Sequence, residues 1–361
     1  MNFLIKCFHW IHSWAGATLA LLLILISLTG TLLIWKQEYL QLSIPAARAE
    51  FQPTPQALAK IATAVESQFD NNEIYLIEFA TEDFPLTKVT LSDDRYAYLD
   101  SQGKVILQWV LNERFEEWLF DLHHRLLLDN LGLTLVGCAG LALILLVLTG
   151  LISFWPLRQG FKQGLFPKSS APPHLRRSHR NLGIIMAAPL LLSLITGVIL
   201  VFPEQSENLL LEPFRGEDYS MDFAEQLDNI SGGNSGDWLP SMQRALATFP
   251  GSHVRSAQPP NFFSTQRIIG VQQPGEWNPL GLSKVYIDAE GGYMDIRIDS
   301  QAQHLSERLY QAGYPLHTGR ISNLAYKILL TLSGLLIAIL SSIGFTSFIK
   351  SKFRALTKNH H

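Results

Sequence analysis

The chain has 361 residues, 47% of them apolar, with a formal net charge of −3. That length holds two or three ordinary domains, and the apolar share does not separate a soluble core from a membrane span, so the distribution along the chain decides. No overall basic excess points to nucleic acid, and no nucleic-acid partner is expected.

Four stretches are long, apolar and free of charge: residues 15–35, 131–156, 182–203 and 328–349. Each reaches the roughly 20 residues that cross a hydrocarbon core of about 30 Å. Ala47-Arg48-Ala49 follows the first run like a signal-cleavage site. The run exceeds the usual signal core of about 7–15 residues, and the site lies well beyond its end, so the run is read as a retained helix. The segment 157–181 carries Arg158, Lys162, Lys168, Arg176, Arg177 and Arg180 and no acid. The tail carries Lys350, Lys352, Arg354 and Lys358, again with no acid. Basic flanks of this kind stay on the cytoplasmic side. Both termini are then inside, and the two long connections, which hold every acidic residue of the chain, are outside.

In chain order the expected parts are an N-terminal segment with the first span (1–35), an outward domain (36–122), and the second span with its lead (123–156). A basic inside loop (157–181), the third span (182–203), a second outward domain (204–316), the fourth span (317–349) and an inside tail (350–361) follow. The first outward domain reads as a helix over 57–69, then strands over 86–91, 96–99 and 104–110. The second reads as a loose Gly/Asn/Ser-rich section that includes 231–236, a helix over 239–249, and strands over 283–287 and 293–298 joined by an acidic, Gly-containing turn. Gly232-Gly233-Asn234-Ser235-Gly236 is no phosphate loop, because no Lys-Ser/Thr pair or strand–helix frame flanks it. The two cysteines, Cys7 and Cys138, lie outside both outward domains and offer them no disulfide.

A repeat organises the rest. Leu28-Thr29-Gly30, Leu148-Thr149-Gly150 and Ile195-Thr196-Gly197 mark three spans, and Ser342-Ile343-Gly344 stands in the fourth. His12 precedes Gly30 by 18 residues, as His179 precedes Gly197; His123 precedes Gly150 by 27, as His317 precedes Gly344. Gly16 and Gly183, and likewise Gly140 and Gly334, keep the same register. The chain is therefore a tandem duplication, its halves two parallel repeats about an axis along the membrane normal. Equivalent residues share a depth, so His12 pairs with His179 at the inner edge and His123 with His317 at the outer edge. Two imidazoles facing across a two-fold axis suit the axial positions of a haem. The glycines would let helices or a flat macrocycle approach closely. Arg125, Arg180 and Arg320 stand within three residues of these histidines, where guanidinium groups could hold haem propionates or simply snorkel to headgroups. His9, His124, His174, His253 and His304 are read as ordinary interfacial or surface residues, and His360 and His361 as a solvated tail. Because His123 lies eight residues before Leu131 and His317 eleven before Ile328, continuous helices would place the outer pair roughly 12–17 Å beyond the apolar core.

His12-Ser13-Trp14-Ala15-Gly16, Leu122-His123-His124-Arg125-Leu126-Leu127-Leu128, His179-Arg180-Asn181-Leu182-Gly183 and Tyr314-Pro315-Leu316-His317-Thr318-Gly319 resemble the PepSY-associated transmembrane family, which includes bacterial iron-regulated membrane proteins and ferric-siderophore reductases. The resemblance spans nearly the whole chain and departs from the pattern at Ser342-Ile343-Gly344. It implies a helical membrane fold with two α+β PepSY-like periplasmic domains in the bacterial inner membrane. It also implies two b-type haems at His12, His179, His123 and His317, and electron transfer to ferric siderophores. No dinucleotide fingerprint is present and the inside loop is too short for a flavin domain, so the donor is a separate molecule, a quinol or a soluble reductase. The rival readings are a non-enzymatic membrane protein whose PepSY-like domains bind a protein partner, and an iron-chelate permease. The permease is disfavoured by spans without a charged residue.

Overall fold

The structure is a computed structural model and describes residues 3–155, 158, 164–214, 237–261, 266–288, 296–321 and 323–358. The Gly/Asn/Ser-rich loop at 231–236, the turn at 289–292, and His360 and His361 lie outside them. The chain forms two compact units. One collects residues 1–34, 118–203 and 316–361, the other 35–117 and 204–315.

In the helical unit, α1 (Phe3–Leu33) runs unbroken. Among the described residues, three helices are long and apolar enough to cross a membrane: Ile5–Leu33 within α1, α5 (Asp129–Phe154), and Leu324–Phe353 within the last helix. Their faces expose residues such as Leu21 and Leu145, at 72% and 62%. A helix apolar all round and open on that scale suits hydrocarbon rather than water. The third expected span differs. It is a pair, α6 (Pro172–Ile185) and α7 (Ala187–Val201), bent by 69° at Met186, and only together do the two meet the same criterion. Pro189 explains the break: it has no N–H to donate, and its ring clashes with the carbonyl of Ile185 four residues back.

The histidine-bearing leads also differ from expectation. The second and fourth spans do not extend upward as single helices. His123 lies on a separate helix, α4 (Phe115–Arg125), and α5 begins only at Asp129. Between them Leu126, Leu127 and Asp129 take positive φ of 53°, 59° and 47°. Such conformations are costly for residues with a Cβ and persist only where surroundings enforce them. Gly132 completes the turn, since a Cβ there would overlap the Arg125 carbonyl.

In the other unit, the described residues form an eight-stranded antiparallel sheet. Its strands are β1 (Ile74–Glu78), β2 (Thr87–Leu91), β3 (Arg95–Leu99), β4 (Val105–Val110), β5 (His253–Gln258), β6 (Gln266–Gln272), β7 (Ser283–Asp288) and β8 (Ile296–Ile298). The order β4-β3-β2-β1-β5-β6-β7-β8 mirrors itself about the β1–β5 seam, where Ile77 pairs with Ala257 and Glu78 with Ser256. The two expected outward domains therefore share one sheet. They also share one core: α3 (Pro55–Gln68), with α2 (Lys36–Ser43) before it, brings Leu58, Ile61 and Val65, and a later helix over Trp238–Thr248 brings Trp238 and Met242. Trp238 Nε1 donates to Glu66 Oε2 across the halves at 2.8 Å. The physical reason is edge chemistry: the first strand of each half would otherwise leave its N–H and C=O groups unpaired.

With α8 (Pro203–Leu210), α9 (Trp238–Thr248) and α10 (Leu305–Gln311) numbered in chain order, His317 lies on α11 (Gly313–Thr318). The last span belongs to α12 (Leu324–Lys358).

Candidate functional site

The histidines that the repeat singled out meet in pairs. The His12 and His179 rings are 5.8 Å apart between centroids with their planes at 81°, and the His123 and His317 rings 6.3 Å apart at 27°. His124, next in sequence to His123, instead stacks on Phe120 at 5.2 Å. His304 accepts from the Ser306 N–H at the start of α10, and His174 pairs with Ser169. Neither joins a cluster.

Each paired imidazole sits in the same receptor on a neighbouring helix. His12 Nδ1 donates to Leu146 O at 3.0 Å and lies 3.2 Å from Thr149 Oγ1. His123 Nδ1 donates to Ile26 O at 2.9 Å and lies 3.3 Å from Thr29 Oγ1. His317 Nδ1 donates to Ser193 O at 3.0 Å and lies 3.4 Å from Thr196 Oγ1. His179 Nδ1 donates to Leu340 O at 3.0 Å. A carbonyl can only accept, so Nδ1 carries the hydrogen and Nε2 keeps its lone pair in all four rings.

The glycine after each receptor makes the notch. A Cβ at Gly30 would lie 2.7 Å from His123 Cε1, and one at Gly197 2.7 Å from His317 Cε1; at Gly150 and Gly344 the distances to His12 and His179 are 3.3 and 3.5 Å. The receptors join helices within a repeat, α1 with α4 and α5, α6 with α12, and α7 with α11. The histidine pairs join one repeat to the other.

The receptor residues Thr29, Thr149 and Thr196 are what sequence reading missed. The signal was present, for the Thr-Gly pairs recur in register, but they served only as landmarks. The depth of the second pair also differs from expectation. His123 packs on Gly30 and His317 on Gly197, both inside apolar runs, not 12–17 Å beyond them. The chain turns at 126–129 and at Gly319 (φ 71°) and carries each ring back along the neighbouring helix.

The predicted glycines divide into two roles. Gly16 and Gly183, one turn after His12 and His179, have nothing within 4 Å of an added Cβ. They leave open space beside the imidazoles. Gly140 and Gly334 instead meet Val198 and Thr31, so they seat helix on helix across the repeats. Of the three arginines, Arg180 donates to Asn181 Oδ1 at 3.2 Å, and Arg320 is exposed beyond Gly319. Arg125 has a buried Nε with no hydrogen-bond partner among the described residues. Among the described residues no group of three or more His, Cys, Asp or Glu converges on one metal position.

No curated protein matched the sequence. The family model described as the PepSY-associated TM region matches residues 9–351, which takes in all four paired histidines and their receptors; the chain belongs to that family and is a membrane protein.

Proposed function

We propose that the chain is an inner-membrane carrier of two b-type haems that passes electrons to ferric siderophores in the periplasm. The observation that carries this reading is the pair geometry. Two metal–nitrogen bonds of about 2 Å each, with a ring radius on either side, separate imidazole centroids by about 6 Å, and the two pairs stand at 5.8 and 6.3 Å. Nδ1–H donation to a backbone carbonyl is the support that ligating histidines normally have. Two imidazoles without a third ligand suit an iron whose remaining positions are filled by a macrocycle.

Haem bound there would supply a one-electron ferric/ferrous couple. The chain's own residues do the rest. The receptors fix each imidazole and its tautomer, and Gly16 and Gly183 keep the space beside His12 and His179 clear for a flat group. The orphaned Arg125 guanidinium nitrogen faces a buried setting where a propionate carboxylate would satisfy it. Each ferric ion in the chelate takes one electron and becomes ferrous, which hard oxygen donors hold less firmly. The electrons come from a quinol or a soluble reductase. The proposal includes four spans, the bent pair α6–α7 counting as the third, with both termini in the cytoplasm. It rests there on the basic, acid-free segments at 157–181 and 350–361.

The dithionite-reduced minus oxidised spectrum of the purified chain tests the reading. Low-spin bis-imidazole bands with two haems per chain are expected, reoxidised on adding a ferric siderophore. Their absence in protein made with ample haem overturns it. His12→Ala and His179→Ala should remove one and the same haem, and His123→Ala and His317→Ala the other. Topology reporters fused after residue 165 and at the C-terminus should both read cytoplasm.

A further inference from the structure

The four imidazoles are not supported alike. Three have a threonine hydroxyl beside the carbonyl that accepts from Nδ1–H, while among the described residues His179 has the Leu340 carbonyl alone. The difference is local and has one cause. Thr29, Thr149 and Thr196 each stand immediately before the notch glycine; before Gly344 that place is taken by Ile343, which has no acceptor.

The hydroxyls can act in only one sense. Thr29 Oγ1 donates its hydrogen to Leu25 O or Ile26 O, both at 2.9 Å. Thr149 Oγ1 donates to Leu145 O at 2.8 Å, and Thr196 Oγ1 to Leu192 O at 2.8 Å. With its single hydrogen committed to the helix, each oxygen faces Nδ1 as an acceptor. A second acceptor on Nδ1–H draws the proton away from the ring and raises the basicity of Nε2. A more basic ligand stabilises ferric over ferrous iron.

Resting on the haem reading above, we propose that these threonines are positioning residues that lower the reduction potential of the haem their histidine holds, and that Ile343 exempts His179 from this effect. The His123–His317 site then has four acceptors and the His12–His179 site three, so the support shell itself distinguishes the two electron-carrying sites of a duplicated chain.

The test is a spectroelectrochemical titration of the full-length, haem-loaded protein in detergent or nanodiscs, with each haem assigned through the histidine variants above. Ile343→Thr should lower the midpoint potential of the His12–His179 haem and leave the other unchanged. Thr149→Val should raise that same potential, and Thr29→Val or Thr196→Val should raise only that of the His123–His317 haem. The expected change is up to about tenfold in the ferric/ferrous equilibrium, tenfold being about 59 mV for a one-electron couple. Thr149→Ser keeps the acceptor and should restore the unsubstituted potential. Two bound haems whose potentials ignore Ile343→Thr and Thr149→Val would overturn the inference and leave the haem reading standing, as would a Thr149→Ser protein that behaves like Thr149→Val. A chain that binds no haem overturns both.

Discussion

The His123–His317 and His12–His179 pairs come from the same duplicated unit and are held by the same receptor, yet with different tightness. At Gly30 and Gly197 the imidazole fills the notch so closely that a Cβ would lie 2.7 Å from it; at Gly150 and Gly344 the clearance is 3.3 and 3.5 Å. The difference follows from what carries each ring. His12 and His179 belong to helices of 31 and 14 residues, whose backbones already place them. His123 and His317 lie near the ends of helices of 11 and 6 residues, followed by a turn. A ring on a short lead must be gripped by its receptor. A ring on a long helix is already aimed.

The sharpest way to break this comparison is Gly30→Ala or Gly197→Ala. On the haem reading proposed above, either should displace its histidine and abolish the His123–His317 haem while the other haem stays, read as a drop from two haems per chain to one. Full occupancy of both haems in these variants would show that the grip is dispensable. Gly150→Ala and Gly344→Ala should be far milder, because 3.3–3.5 Å lets the neighbour yield by a few tenths of an ångström. Both haems are expected to remain, with a modest fall in occupancy of the His12–His179 site at most.

A measurement without mutation separates the pairs further. Imidazole planes near perpendicular give a strongly axial low-spin ferric EPR signal, and near-parallel planes a rhombic one. The angles of 81° and 27° predict one of each. Two identical rhombic signals would mean that the His12 and His179 planes swing into line on loading. Pro189→Ala, by relaxing the bend at Met186, should alter both signals, because α6 carries His179 and α7 carries the receptor of His317.

The smallest expected effect lies away from both pairs. Burial pushes the Glu117 carboxyl up, but Lys36, at 2.8 Å, with Lys88 and Arg114 outweighs this and holds it below its ordinary value. A carboxylate depressed in this way contributes stability at neutral pH that is lost as pH falls below about 4.5 and through the lower folded value. Lys36→Met should move the acid unfolding transition of the sheet unit to higher pH, followed by circular dichroism, without changing either haem spectrum.

The sequence carried the pairing because the duplication wrote it twice: equal offsets, 18 and 18, 27 and 27, required only counting. The helix 55–68 and strands β2, β3, β4 and β7 were legible from period and turn residues. β1, β5 and β6 were not; Ile74 to Glu78 is a five-residue run whose place is set by pairing with β2 and β5. The depth of His123 was illegible for another reason. Leu126 and Leu127 in left-handed backbone are choices that no local propensity favours, enforced by packing that only the folded chain displays. The bend at Met186 was missed as well, because the charge-free apolar run over 182–203 was read as a single span.

The seam between β1 and β5 sets a timetable for biosynthesis. Their backbone hydrogen bonds, including Phe79 N–H to Arg255 O at 2.8 Å, join segments separated in synthesis by a full repeat length of chain, which includes the apolar runs at 131–156 and 182–203. At about 5–20 residues per second, the first half waits on the order of tens of seconds with the edge of β1 open and half of its core uncovered. A ribosome that stops early releases a strand edge with no partner but another such edge, and the antiparallel seam is a geometry that two identical first halves can form about a two-fold axis. The internal duplication thus keeps, inside one polypeptide, the contact by which a half-length chain would assemble with its twin.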